Sequence, residues 1–131
     1  MKSFIVLIIS FMSFASLGFP IPKDNIATFD IIRKNKIIGS AETSFSESDE
    51  NLFVKTVIDI KVKVLFISAY KFSQTSVEKW SDNEFIEFDG HTKFEDEREY
   101  FIKGKDTEEN FVATGMDGEL ILDKNIIPLN Y

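Results

Sequence analysis

A chain of 131 residues, 44% hydrophobic and 28% charged, has the size and composition of one ordinary globular domain. Its formal net charge of −7, about −8 once a leading segment containing Lys2 is removed, opposes binding to phosphate backbones and anionic lipid surfaces, so nucleic acid is not an expected partner. With no cysteine the chain has no disulfide, thiolate metal site, cysteine nucleophile or lipoprotein acceptor, and its stability must come from its core.

The chain opens with Lys2, an apolar run over residues 4–17, and the small residues Ser16 and Gly18. This pattern predicts a secretory signal peptide over residues 1–18, helical and cleaved after Gly18. An uncleaved anchor would need about 20 apolar residues, and Pro20 and Pro22 interrupt the run too early. The expected destination is periplasmic or secreted, with no membrane span left after cleavage. Residues 19–27 read as an irregular leader, and residues 28–131 as a single antiparallel β-sheet domain.

Residues 28–33 form a strand-like run, Lys34 and Asn35 a hairpin turn, and residues 36–45 the return strand. Gly39 within that strand marks a bend or a close backbone approach. A polar loop over residues 47–51 leads into the longest strand, residues 52–64. There Val54, Thr56, Ile58, Ile60, Val62 and Val64 alternate with Lys55, Asp59, Lys61 and Lys63. A period of two gives one apolar and one wet face, and β-branched residues suit the pleat. A break is expected near residues 66–69. Alternation then resumes, with Tyr70, Phe72, Glu78 and Trp80 on one parity and Lys71, Val77 and Lys79 on the other.

Asp82 and Asn83 read as a turn. Residues 85–88 and 91–94 continue the meander around a turn-like Asp89 and Gly90, and residues 95–97 reverse it again. Residues 98–103, 111–115 and 120–122 complete the strands, with turns read at Gly104 and Lys105 and at residues 115–118. Short turns at this spacing signify antiparallel pairing, and no stretch has a helical period. Fourteen phenylalanines add bulk for the inner face. The expected fold is all-β: a curved antiparallel meander closing into an incomplete barrel or half-barrel.

The motifs Asn35-Lys36-Ile37-Ile38-Gly39, the run over residues 60–72, Glu78-Lys79-Trp80 and His91-Thr92 resemble an exported bacterial family, domain of unknown function 6134. The resemblance covers essentially the whole mature chain. It implies a signal-bearing β-sheet protein, and it supplies no catalytic residues. Members typically carry Gly where Asn35 stands, and they continue past the point matching Tyr131, so the resemblance implies a copy truncated at its C-terminus.

Four residues are candidates for ligand binding: Tyr70, Phe72, Glu78 and Trp80. A carboxylate beside an indole can hydrogen-bond a ligand or, when desolvated, act as an acid. The simpler account places Glu78 at a sheet rim and Trp80 over the core. His91, the only histidine, lacks a recognisable nucleophile and reads as a surface residue. The acidic clusters at residues 95–99 and 106–109 lack calcium-site spacing, and no zinc set, phosphate loop or serine elbow occurs. No metal, cofactor or catalytic set is therefore expected. What remains is the apolar face, which points to non-enzymatic binding of a lipid-like or other hydrophobic small molecule in the cell envelope. The alternatives are an interaction module pairing an exposed edge strand with an envelope protein, and a hydrolase-type enzyme using Glu78 assisted by Tyr70 or His91.

Overall fold

The computed structural model describes residues 21–126 except 66, 96 and 125. The expected signal peptide, the first residues of the leader and the apolar run beyond Ile126 lie outside the described residues. Eight strands form one antiparallel sheet in strict chain order: β1 (Ile26–Arg33), β2 (Lys36–Ser48), β3 (Asn51–Val64), β4 (Ile67–Ser81), β5 (Glu84–Phe94), β6 (Arg98–Asp106), β7 (Phe111–Gly115) and β8 (Gly118–Leu122). The sheet is an all-β meander and is open, with β1 and β8 as its edges. No helix occurs among the described residues, so none there is long and apolar enough to cross a membrane.

Three of the connections are two-residue hairpins in which both central residues adopt positive φ: Lys34 and Asn35 (49° and 58°), Asp49 and Glu50 (50° and 62°), Asp82 and Asn83 (50° and 64°). Two successive left-handed residues make a type I′ turn, whose twist matches that of the flanking strands. The expected turns at Lys34-Asn35 and Asp82-Asn83 stand where the sequence places them.

Other boundaries differ from expectation. β1 begins at Ile26, two residues before the predicted start, and β2 runs on to Ser48 because Ser46, Glu47 and Ser48 pair with Phe53, Leu52 and Asn51. Of the break expected at residues 66–69, residues 67–69 lie instead within β4, and the connection between Val64 and Ile67 includes Leu65 at φ 48°. Leu65 makes the turn without Gly or Pro, leaving no punctuation in the sequence. The turns expected at Asp89-Gly90 and at Gly104-Lys105 do not exist: Gly90 lies inside β5 and Gly104 inside β6. Both glycines are buried, and both make room for rings. A Cβ on Gly90 would come within 2.8 Å of the Phe88 ring and 2.9 Å of Ile102, and one on Gly104 would overlap the Phe111 ring. The chain reverses instead at residues 107–110, where Thr107 Oγ1 donates to the Asn110 carbonyl (2.7 Å) and accepts from the Asn110 amide (3.0 Å). Gly39 does mark a close backbone approach, since a Cβ there would strike the Asp59 carbonyl and lie 2.8 Å from Ile60 Cα.

The sheet has a charged face and an apolar one. On the charged face, cross-strand neighbours pair as ions: Lys103 with Asp89 (3.1 Å), Lys105 with Glu87 (3.7 Å) and Lys93 with Glu99 (3.0 Å). On the apolar face the core is concentrated over β4–β8. Phe85, Phe111 and Ala113 are buried there, with Trp80, Phe88, Leu122 and Ile126 packed around them. Phe85 and Phe111 stack with ring centroids 5.0 Å apart although β6 separates their strands. Strands once removed lie about 9.5 Å apart, so the rings meet only by lying over β6 at Gly104. A bulge completes this arrangement. Lys79 pairs with Glu87 but Trp80 pairs with Phe85, leaving Ile86 as the extra residue and turning Phe85 to the same face as Phe88.

Candidate functional site

Rings fill the apolar face around Phe85 and Phe111, while Ile102 and Leu120 in the same half stay exposed; β1–β4 are less filled, with Ile58 buried among them. An open cleft of about 430 Å³ lies across these four strands. Its walls come from Phe29 and Ile31 of β1, Ala41 of β2, Ile58 and Ile60 of β3, and Tyr70 and Phe72 of β4. The registers explain why they share a face: Phe29 is opposite Ala41, Ala41 opposite Ile58, Gly39 opposite Ile60, and Ile60 opposite Phe72. Gly39, with no side chain between Ile31 and Ile60, keeps that row low. Tyr70 is held from outside the cleft by an edge-on contact with Phe94 (5.1 Å), and the Arg98 guanidinium sits over the Phe94 ring at 4.6 Å.

Toward mid-strand the lining turns polar. Thr43 and Thr56 face each other across β2 and β3, their hydroxyl oxygens 3.1 Å apart and hydrogen-bonded, and Gln74 of β4 completes the polar part of the lining. Beyond it Ser76 and Glu78 are buried on the same face. No ionisable group of Asp, Glu, Lys, Arg or His lines the cleft. A second groove, of about 390 Å³ on the charged face, has Asp59, Lys61, Lys71, Lys93 and Glu95 in its lining.

The four candidates from the sequence share the apolar face, but the structure divides them into two pairs. Tyr70 and Phe72 line the cleft. Trp80 packs against Phe85 (5.1 Å) in the filled half, and its indole Nε1 donates to Glu78 Oε2 at 2.9 Å. Eight residues of extended chain separate Tyr70 from Glu78, about 26 Å at ~3.3 Å per residue. The two do not meet. His91 is on the opposite, charged face, opposite Phe101, with which its ring stacks (4.4 Å, 5°), and its Nε2 is 3.5 Å from Glu99 Oε2. The structure therefore brings neither Tyr70 nor His91 to Glu78. His91 is also half-buried within β5 and not in a turn.

Beside His91, Lys93 holds the Glu99 carboxyl below the usual carboxylate range, by hydrogen bond and then by charge, with His91 adding to the effect. No cluster of His, Cys, Asp and Glu able to hold a metal occurs among the described residues. Sequence reasoning singled out neither Gln74 nor Thr43 nor the β1 residues Phe29 and Ile31. Gln74 was within reach, since it has the parity of Tyr70 and Phe72. Those of β1 and β2 needed the register.

Fold and site together define an open, single-sheet all-β protein with one ring-filled half and one uncharged cleft. The chain belongs to the family described as a domain of unknown function (DUF6134), whose model matches residues 29–131. No curated protein and no solved structure matches it.

Proposed function

We propose that this is an exported, non-enzymatic protein that binds a lipid-like or other hydrophobic molecule in the cell envelope, at the cleft over β1–β4. The observation that carries the reading is the cleft itself: about 430 Å³ walled by aliphatic and aromatic side chains, with Thr43, Thr56 and Gln74 as its polar groups and no Asp, Glu, Lys, Arg or His. Apolar clefts of about 300–1,000 Å³ with a few polar groups are the usual form of small-molecule sites, and this one has both attributes. The signal-like segment over residues 1–18 supports export to the periplasm or beyond. Nile red fluorescence with the full mature protein tests the binding. Saturable enhancement, weakened at least fivefold by Phe72→Ala and unaffected by Lys103→Ala on the other face, is expected. Absence of saturable enhancement, together with no lipid in a solvent extract of the purified protein, overturns the reading.

A second reading has an observation of its own. β1 is an eight-residue edge strand without Lys or Pro inside it, and it exposes Ile26, Phe29 and Ile32. Natural edges are usually blunted by such residues, so β1 suits pairing with a strand of another envelope protein. Arg33 and Asp30 are its only charges. Asp30→Pro at this edge abolishes such pairing in a pull-down if the reading holds, while leaving Nile red binding in place.

A further inference from the structure

We infer that the cleft selects uncharged single-chain amphiphiles, with one alkyl or acyl chain and a neutral hydrogen-bonding head such as a hydroxyl or ester, and discriminates against ionised heads. This rests on the ligand-binding reading above and adds the chemical class of the ligand. Three features carry it.

The lining is wholly uncharged: aliphatic and aromatic walls, with Thr43, Thr56 and Gln74 as its mid-strand polar groups. A buried hydroxyl or ester finds partners there, because Gln74 supplies two donors and an acceptor and each threonine hydroxyl can do either. An ionised head would be desolvated without a counter-charge, which is strongly unfavourable.

The charges that do lie near are committed or turned away. Arg98 sits over Phe94 and pairs with Glu95 at 3.8 Å, outside the lining. Lys61 is on the opposite face of β3 from Ile58 and Ile60, by the alternation of the strand. Glu78, buried on the same face, accepts from Trp80 in the filled half and is no part of the lining. Size is the third feature. At about 430 Å³ the cleft is near the lower end of ligand sites, which suits one chain better than two.

The test compares three twelve-carbon probes below their aggregation limits at pH 8: monolauroylglycerol, laurate and dodecyltrimethylammonium, each displacing Nile red from the full mature protein. Monolauroylglycerol is expected to displace at a concentration at least tenfold below either ion. Gln74→Leu and, separately, Thr43→Val should narrow that ratio, and Gln74→Lys should shift it toward laurate, with Trp80 emission reporting that each variant is folded. Equal displacement by all three, or preference for an ion, overturns the selectivity while leaving the cleft a hydrophobic site. If Nile red does not bind at all, it is the ligand-binding reading that fails, and this inference with it.

Discussion

Gly104 shows how much a single missing side chain decides. Its Cα is the floor on which the Phe111 ring rests, so Gly104→Ala forces a methyl group into that ring. Overpacking of this kind costs about 1–3 kcal/mol, to be read as a lower midpoint in urea unfolding. Gly115 is the control: a Cβ there meets nothing closer than 3.5 Å, so Gly115→Ala is neutral or stabilising by up to about 1 kcal/mol through the unfolded chain. Glu50 carries the opposite burden, a side chain at φ 62°. Glu50→Gly relieves that strain and raises stability by about 1 kcal/mol in the same assay, since a left-handed L-residue costs roughly 1–2 kcal/mol and glycine returns part of it in entropy. On the charged face, Lys93→Met returns the Glu99 carboxyl toward its ordinary range, seen as an upward-shifted titration by NMR. Because Glu99 titrates lower in the folded than in the unfolded protein, its contribution to stability is present above the unfolded pKa and is lost as pH falls through the folded one. Lys93→Met therefore flattens that acid limb.

At the scale of the element, β5 depends on its bulge. Strict alternation from Phe88 would point Ile86 into the core and Phe85 out of it, and the extra residue at Ile86 exchanges them. The partner of that exchange, Phe111, is 2% exposed, so Phe111→Ala is expected to cost about 3–5 kcal/mol. Phe29→Ala, on the same face but 61% exposed, should cost less than about 1 kcal/mol and instead weaken Nile red binding. Chemical denaturation of the two variants side by side checks both. The period of two was legible in β3 because β-branched residues fill every even position from Val54 to Val64 and charge fills four of the five odd ones, and at the two ends of β4 because Tyr70, Phe72 and Trp80 alternate with Lys71 and Lys79. The interior glycines were misread for a physical reason. Gly90 and Gly104 carry the same local signature as a turn glycine, and only the rings on their own or a neighbouring strand reveal that their role is space.

For the whole molecule, a single open sheet with its packing gathered over β4–β8 should not be uniformly stable. Amides in the β1 edge strand are expected to exchange with solvent faster than those of β4 and β5 around Ser76 and Phe85, because β1 has one paired side and few buried contacts. Hydrogen exchange read by mass spectrometry checks this; uniform protection from β1 to β5 would contradict it. The same asymmetry is what leaves the cleft over β1–β4 open. Alternation and turn residues were enough by themselves to determine an antiparallel meander with one greasy side, because both are local properties, the first repeating every second residue. Which part of that side is plugged and which part stays open was decided by the tertiary structure alone. It depends on Phe85 and Phe111 meeting across a strand that intervenes between them, a distance that no pattern along the chain encodes.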